Sequence, residues 1–201
     1  MSVSFENVSF SYGKTPILQN VSWQLPNHGV VCLWGASGCG KTTALRLLAG
    51  LEKPKNGKVN GVRRVSMVFQ EDRLLPWYTA LENVTLIGAG EERARKILAL
   101  LGLSEEEMAA YPDHLSGGQQ RRVALARALA AESDILLLDE PFNGLDEGTW
   151  QDVVPLIRKA AASCPVVLVT HIREQVQALG AVAVNLVEAP QSGVWQAVEF
   201  L

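Results

Sequence analysis

The spacing Gly-x-x-x-x-Gly-Lys-Thr, from Gly35 to Thr42, constrains this chain more than any other feature. An apolar run from Val30 to Trp34 precedes it and predicts a buried strand, and residues 44–49 after it predict a helix. A glycine-rich loop between a strand and a helix suits phosphate binding, because glycines let the backbone approach an anion and the helix N-terminus attracts it. The alternative is a glycine-rich turn that ends in Lys-Thr by chance.

Each residue type in this loop has a chemical reason to be there. We expect the backbone amides to surround the phosphates, the Lys41 ammonium to bridge the β- and γ-phosphates, and the Thr42 hydroxyl to bind Mg²⁺. The sequence therefore predicts a nucleotide triphosphate site. Its phosphate-binding residues are Gly35, Ala36, Ser37, Gly38, Cys39, Gly40, Lys41, Thr42 and Thr43.

Composition narrows the class of protein. The 201 residues carry 18 basic and 21 acidic side chains, a net charge of −3, which is unlike the basic surface of a nucleic-acid-binding protein. No apolar run approaches the ~18 residues of a membrane-spanning helix. The first residues do not resemble a secretory signal, and three cysteines without metal-like spacing fit a reducing compartment. We expect a soluble cytoplasmic protein.

The rest of the chain predicts a mixture of strands and helices. Short strands between Val3 and Leu25 predict a small antiparallel sheet, whereas residues 79–110 predict an all-helical insert with capping boxes at Thr79 and Ser104. Further buried strands are predicted at 65–69, 135–138 and 165–170, and closing strands at 181–187 and 194–200. Residues 54–57 predict a turn, and Pro155 is expected to bend or break a helix over 147–162.

Polar side chains follow the buried strands at the points where they end. Gln70, the pair Asp139 and Glu140, and His171 each come directly after an apolar run, as Gly35 does. Ligands of open α/β sheets bind outside the carboxyl ends of the strands, so parallel neighbours would bring all these groups into one crevice. There Asp139 would bind the metal, Glu140 would act as general base toward water, and His171 would hold the γ-phosphate. The alternatives are a solvated carboxylate pair and a structural histidine.

Two further features have two interpretations each. Tyr12, at the end of a predicted strand, either packs against its neighbours or stacks on an adenine ring. The sequence Ser116-Gly117-Gly118 leads into a helix over 120–131, so it is either an ordinary serine N-cap or a second phosphate site.

Taken in order, these motifs resemble those of the ATP-binding cassette (ABC) ATPases along nearly the whole chain. The resemblance implies a role for each motif: Tyr12 as the adenine-stacking aromatic residue, Gly35 to Thr42 as the Walker A loop, Gln70 as the Q-loop glutamine, Leu115 to Gln119 as the LSGGQ signature, residues 135–141 as Walker B with Glu140 as its catalytic glutamate, Asn143 to Asp146 as the D-loop, and His171 as the switch histidine. The D-loop differs from the more usual Ser-Ala-Leu-Asp but retains the aspartate.

The resemblance also implies a fold and a chemistry. The fold is α/β: a P-loop NTPase core with a mainly parallel sheet, an N-terminal antiparallel β subdomain and an inserted helical lobe. In a single domain over 1–201, the core would span about 1–70 and 133–201, and the lobe about 71–132. ATP and Mg²⁺ would be the cofactors, with Thr42, Gln70 and Asp139 at the metal. Lys41, Gln70, Glu140 and His171 would be catalytic.

Partners follow from the same resemblance. Two cassettes would pair head to tail when ATP binds, as a homodimer or with a related cassette. The signature of one, Ser116, Gly117, Gly118 and Gln119, would then cap the γ-phosphate held by the other. Transmembrane permease subunits would carry the solute, a solute-binding protein would take part indirectly, and no nucleic acid would be bound. The chain would lie on the inner face of the plasma membrane.

The stretch from Val68 to Trp77 looks most like importers of the nitrate, sulfonate and taurine type. Residues 74–78 would then line the groove that receives a helix of the permease. The alternative is that Trp77 plugs the helical lobe onto the sheet. A different class, the non-transport cassette ATPases of DNA repair or translation, is the competing function. Repair types insert a long coiled coil where this chain has a small lobe, and translation types carry two cassettes.

Overall fold

The computed structural model of the chain describes residues 2–187 and 194–198. Strands and helices alternate over most of this length, as in an α/β fold. The strands are β1 (Ser4–Tyr12), β2 (Thr15–Gln24), β3 (Gly29–Trp34), β4 (Asn56–Asn60), β5 (Val65–Val68), β6 (Ile135–Asp139), β7 (Pro165–Val169), β8 (Val182–Val187) and β9 (Val194–Val198). The helices are α1 (Lys41–Leu48), α2 (Ala80–Thr85), α3 (Glu91–Leu100), α4 (Glu105–Ala109), α5 (Gly117–Ala130), α6 (Glu147–Ala161) and α7 (Arg173–Leu179).

The larger sheet has the strand order β5-β6-β7-β3-β8-β9. Its first five strands are parallel, and β9 pairs antiparallel with β8. The residues of β6 and β7 are buried throughout, as expected for strands covered on both faces. Leu137 of β6 and Val31 of β3 both lie opposite Val167 of β7, so β5, β6, β7 and β3 are four successive neighbours whose carboxyl ends share one edge.

The smaller sheet is antiparallel, with the order β2-β1-β4. A hairpin at Gly13 joins β1 to β2, as the sequence predicted for this region. The turn predicted over residues 54–57 is only partly correct, because Asn56 and Gly57 begin β4. A Cβ atom on Gly57 would lie 2.3 Å from the carbonyl oxygens of Glu6 and Asn7, so this glycine permits close pairing of β4 with β1 rather than marking a turn.

The helical insert consists of α2, α3, α4 and the long helix α5. Both predicted capping boxes are present, with Thr79 paired to Glu82 and Ser104 to Glu107. The insert does not have a core of its own. Apolar residues of its helices, such as Val84, Leu98 and Leu125, belong to one buried cluster. The same cluster contains residues from one face of β6 and β7, such as Leu138 and Leu168. The lobe is therefore seated on the sheet through apolar contact.

The C-terminal half differs from the predictions in two places. Helix α6 runs through Pro155 without a break, because Pro155 lies on the exposed side of the helix, where water can satisfy the backbone carbonyl that loses its partner. Helix α7 was not predicted, although Val176 and Leu179 are buried at a spacing of three and Gly180 ends the helix with a φ of 61°.

The predicted closing strands are present as β8 and β9, and residues 199 and 200 of the second prediction lie outside the described residues. Over residues 2–187 and 194–198, no helix has the length and apolar character needed to cross a membrane.

Candidate active site

The polar groups predicted from strand ends do follow neighbouring strands. Gln70 follows β5, Asp139 ends β6 with Glu140 next, His171 follows β7, and Gly35 follows β3. Side-chain contacts join three of these strand ends directly: the Thr42 hydroxyl, just after the β3 loop, donates to Asp139 Oδ1 at 3.3 Å, and His171 Nε2 lies 3.5 Å from Glu140 Oε1. The predicted convergence along one edge of the sheet is confirmed for these groups.

The loop between β3 and α1 is shaped to hold an anion. Gly40 is the N-cap of α1 with a φ of 101°, and a Cβ there would lie 3.0 Å from Ile17 Cγ2. Only glycine fits this position without strain. Because the N-cap is glycine, no capping side chain competes with an anion for the first backbone amides of α1. These amides and the positive end of the helix dipole face the loop.

Lys41 is buried at the base of the same loop. Its ammonium donates to the carbonyls of Gly35 at 2.9 Å and Ala36 at 2.7 Å, which hold it inside the curve of the loop. The exposed residues Ala36, Ser37 and Gly38 form the rim. A cation held in this way, next to a helix N-terminus, gives the loop the electrostatic character of a phosphate site.

Asp139 is the buried acid of the site, with 3% of its surface exposed. Burial raises the pKa of its carboxyl above the ordinary value; the negative charge of Glu140 acts in the same direction, and the hydrogen bond from Thr42 opposes it. Among the described residues no group of three or more His, Cys, Asp or Glu side chains could cage a metal. One hydroxyl and one carboxylate nevertheless fit Mg²⁺, which takes few protein ligands and fills its remaining positions with water and phosphate oxygens.

Glu140 has an unusual backbone conformation. Its φ is 49°, in the left-handed region that glutamate rarely adopts. The carboxylate is held from two sides: Oε2 accepts a hydrogen bond from Asn143 Nδ2, and Oε1 faces His171. Strained backbone of this kind is common at functional sites, where surrounding contacts maintain it. The arrangement presents a carboxylate next to the buried Asp139, as a group that accepts a proton from water requires.

Gln70 and Tyr12 are less closely tied to the site. The Gln70 side chain is exposed, and its backbone carbonyl lies 3.5 Å from Arg121 Nη1. Tyr12 is 43% exposed and packs edge-to-face on Phe10 with ring centroids 4.9 Å apart. Its hydroxyl also lies 3.4 Å from Arg46 Nη1. Packing is therefore established for Tyr12, and the exposed part of the ring leaves the stacking role open as a prediction.

The second glycine-rich helix N-terminus lies on the lobe. Ser116 is the N-cap of α5 and forms a capping box with Gln119, whose side-chain amide also donates to Glu107 Oε1. Ser116 and Gly117 are exposed, and a Cβ on Gly118 would lie 3.2 Å from the carbonyl oxygen of Gly144. The ordinary N-cap interpretation is thus correct for the isolated chain, and it leaves Ser116 and Gly117 facing solvent beside the loop that follows β6.

The loop over residues 74–78 presents an aromatic residue to solvent. The buried Asn83 holds this loop: its side chain accepts from the Leu75 amide at 2.8 Å and donates to the Tyr78 carbonyl at 3.0 Å. Trp77 is 68% exposed. The interpretation that Trp77 plugs the lobe onto the sheet is therefore wrong, because a plug would be buried.

Sequence reasoning missed the contacts that two residues make with Glu140. Asn143 holds the carboxylate, and Arg121 of α5 donates to the backbone carbonyls on both sides of it. A signal for Arg121 was present: it shares a helical face with the buried residues Ala124, Leu125 and Ala128, a position where arginine is rare unless it has partners. Asn143 was assigned only to the D-loop, and no local signal pointed to its contact with Glu140.

Comparisons with known proteins agree with this geometry. Residues 18–143 match the family described as ABC transporter. The chain is 45% identical over 178 residues to the aliphatic sulfonates import ATP-binding protein SsuB 1 of Shouchella clausii (strain KSM-K16), covering 85% of this chain and 71% of that protein. It is 44% identical over 176 residues to SsuB 3 of Paraburkholderia xenovorans (strain LB400), with the same coverage.

Solved structures give the same result. The dimeric post-hydrolysis state of the ATP-binding cassette MJ0796, bound to ADP and Pi, superimposes with a TM-score of 0.82 at 30% identity, over 99% of this chain and 100% of that one. The dimeric structure of MJ0796 as a bacterial ABC transporter cassette gives a TM-score of 0.80 over 91% and 94%. The predicted α/β fold is confirmed. The chain belongs to the ABC transporter family and is an ATP-binding ATPase of that family.

Proposed function

We propose that this chain is the ATP-hydrolysing subunit of a membrane importer for a small solute. The observation that carries the proposal is the meeting of strand ends: a buried ammonium, a hydroxyl paired with a buried acid, and a carboxylate paired with histidine on adjacent strands. Transfer of a phosphoryl group to water needs this set of groups. In this proposal the nucleotide-binding core is built from about 1–70 and 133–201, and the helical lobe spans about 71–132.

In the proposed mechanism the protein positions ATP and removes a proton from water. The loop amides and Lys41 would bind the β- and γ-phosphates, and Tyr12 would stack on the adenine. Thr42 and Asp139, with Gln70 across the crevice, would hold Mg²⁺, which when bound supplies charge neutralisation to the phosphates. Glu140 Oε would accept the proton of the attacking water, and His171 would hold the γ-phosphate as negative charge develops.

The site would be completed by a second cassette. Ser116, Gly117, Gly118 and Gln119 lie at an exposed helix N-terminus on the lobe, where they would face the γ-phosphate of a partner copy. The MJ0796 cassette, which this chain resembles over nearly its full length, forms dimers. A head-to-tail homodimer, or a pair with a related cassette, would explain why one chain carries two glycine-rich helix N-termini.

The transported solute would be a sulfonate or a similar small anion. The curated relatives named above are described as aliphatic sulfonates import ATP-binding proteins.

The permease would contact the loop at 74–78, where Trp77 is available for burial in a partner, and a solute-binding protein would act from the other side of the membrane. This assembly would place the chain on the cytoplasmic face. The relatives and the small size of the lobe do not favour a repair or translation ATPase.

Phosphate release by the purified chain tests hydrolysis. Wild type with ATP and Mg²⁺ should release phosphate, and Glu140→Gln should be slower by about 100-fold or more because the proton acceptor is lost. Glu106→Gln, which changes an exposed glutamate of α4, is the matched control and should match wild type. An active Glu140→Gln variant would exclude the proposed role of this carboxylate.

Co-purification with permease subunits tests transport. A permease co-expressed from the same operon should be retained by wild type and lost with Trp77→Ala, compared at equal folded yield. Val182→Ala removes a similarly exposed apolar side chain from β8 and should retain the permease. Equal retention by both variants would remove Trp77 from the interface.

A further inference from the structure

Arg121 joins three separate segments at the active edge of the sheet. It lies in α5, five residues after Ser116, and only 2% of its surface is exposed. Every nitrogen of its guanidinium donates to the protein. Nε donates to the carbonyl of Pro141 at 3.1 Å; Nη2 to the carbonyls of Asp139 at 3.0 Å and of Glu140; and Nη1 to the carbonyl of Phe69 at 2.6 Å and to Asp72 Oδ1 at 2.9 Å.

These contacts satisfy the physical requirements for burying an arginine. A buried cation is unfavourable unless its donors and its charge are matched. Here backbone carbonyls take most of the donors, and Asp72, which is itself largely buried, supplies the opposite charge. The fixed planar fork of arginine serves several acceptors at once, which the single ammonium of lysine cannot do.

The carbonyls of three successive residues, Asp139, Glu140 and Pro141, converge on this one guanidinium. Glu140, at their centre, has the left-handed φ of 49°. A conformation that glutamate rarely adopts persists only where contacts maintain it. Arg121 supplies such contacts to the backbone, whereas Asn143 and His171 contact the carboxylate itself.

On its other side Arg121 contacts the loop that leaves β5. Its bond to the Phe69 carbonyl adjoins Gln70, and Asp72 lies two residues further on. Arg127, on the next turns of the same helix, donates to the carbonyls of Asp72 and Arg73 at 3.0 Å. Helix α5 is therefore tied to the Gln70 loop by Arg121 and Arg127, and to the Glu140 backbone by Arg121.

We propose that Arg121 is a positioning residue for hydrolysis: it fixes the Glu140 backbone and links it to the placement of α5, whose N-terminus carries Ser116. The inference rests on the proposed role of Glu140 as proton acceptor. Movement of α5 would shift the carboxylate through this guanidinium. The Arg121 guanidinium contacts Asp139 and Glu140 through their backbone carbonyls rather than their carboxylates, so its loss should change the rate of the chemical step more than ATP affinity.

Steady-state kinetics of Arg121→Lys and Arg121→Gln test the proposal in the full chain. We expect kcat to fall about 10- to 100-fold, because small displacements of a catalytic group have effects of this size, with KM for ATP within about threefold of wild type. The matched control is Arg95→Gln. Arg95 is an arginine of α3 that pairs with Glu91 and Glu105 within the lobe, away from the signature residues, so kcat per folded molecule should be retained.

A double-mutant cycle separates positioning from general stability. If Arg121 acts through Glu140, Arg121→Lys should have little further effect on kcat in the Glu140→Gln background. Multiplied losses would overturn the proposal. If the Arg121→Lys chain does not fold, Asp72→Asn replaces it in the test, because it removes the counter-charge while Arg121 stays in place. We expect Asp72→Asn to lower kcat by about threefold to tenfold. Wild-type kcat in the folded variants would also overturn it.

Failure of the proposed function gives a different result. If wild type releases no phosphate, or if Glu140→Gln is as fast as wild type, the assignment of the site is wrong. If wild type is active, Glu140→Gln is inactive and the Arg121 variants keep wild-type kcat, then only the role of Arg121 is wrong.

Discussion

The chain contains two glycine-rich helix N-termini, one at α1 and one at α5, and they differ in what surrounds them. At α1 the N-cap is Gly40, and the buried Lys41 ammonium lies inside the loop with Thr42 and Asp139 beside it. At α5 the N-cap is Ser116, whose hydroxyl accepts from the Gln119 amide of its own helix at 3.3 Å.

A helix N-terminus is therefore only part of a phosphate site. The dipole and amides are similar at both helices, but at α1 the same chain adds the Lys41 ammonium, the buried Asp139 and the Glu140 carboxylate. At α5 the described contacts of Ser116 and Gln119 stay within the lobe. We therefore expect the N-terminus of α1 to bind ATP without help from a second copy. The N-terminus of α5 should act only on a nucleotide that another copy holds.

Among the variants that test this comparison, Lys41→Ala should have the largest effect, which is on ATP affinity. Removing the buried ammonium leaves the Gly35 and Ala36 carbonyls without their donor and the phosphates without their cation. ATP affinity should fall by about 100-fold, as is typical when a buried charged partner is lost. Isothermal titration with ATP and Mg²⁺ measures it, and Lys96→Ala, an exposed lysine of α3, is the control. Affinity equal to wild type would contradict the account of the α1 N-terminus.

Ser116→Arg should separate the roles of α1 and α5 most clearly. Hydrolysis should fall by about 100-fold, because the arginine would obstruct the face offered to the partner's γ-phosphate, while ATP binding by the monomer stays within about twofold. Ser104→Arg is a matched control, since Ser104 is the N-cap of α4 with the same capping box. If Ser116→Arg abolishes monomer binding, the N-terminus of α5 acts within its own chain and the comparison fails.

Asn143→Ala should have a moderate effect. The variant removes the amide that donates to Glu140 Oε2 and leaves His171 as the remaining contact of the carboxylate. We expect kcat to fall by about threefold to tenfold with little change in KM, because the carboxylate is less well oriented. Phosphate-release kinetics at saturating ATP measure it, and unchanged kcat would show that Asn143 does not orient the carboxylate.

Asp139→Asn should have the smallest effect of these variants, and the effect is on thermal stability. Because burial raises the pKa of Asp139, the folded chain holds this proton more tightly than the unfolded chain does. Stability contributed by the protonated acid is present below the ordinary aspartate pKa and is lost as pH rises through the raised value. Without nucleotide or Mg²⁺, the variant should therefore melt at a higher temperature than wild type at pH 7.

The pH dependence is the control for this prediction. The difference in Tm between Asp139→Asn and wild type should disappear at a pH below the ordinary aspartate pKa, where the acid is neutral in both states. A wild type that is more stable than the variant at pH 7 would show that other groups satisfy the Asp139 charge.

Local signals explain most of what the sequence predicted. The strand, glycine-rich loop and α1 are contiguous, and the capping boxes at Thr79 and Ser104 use residues three apart, so neither depends on distant contacts. The convergence of strand ends followed from one assumption, that β5, β6, β7 and β3 are parallel neighbours, and the sheet order confirms it.

The features that were missed depend on contacts between distant segments. Strand β4 is mostly exposed and polar, without apolar alternation, and it becomes a strand by pairing with β1 about fifty residues earlier. The contacts of Arg121 and Asn143 depend on the backbone turn at Glu140, which no local pattern encodes. Trp77 is exposed because Asn83 fixes the loop around it, an arrangement that composition alone does not specify.

The mass of the Glu140→Gln variant in solution tests the central claim most directly. The claim is that the N-terminus of α1 in one copy and the N-terminus of α5 in another enclose the same ATP. With ATP and Mg²⁺, light scattering should give twice the 21.8 kDa of a single chain, and adding Ser116→Arg should return the mass to that of a monomer. A monomer under these conditions, with ATP bound, would contradict the account.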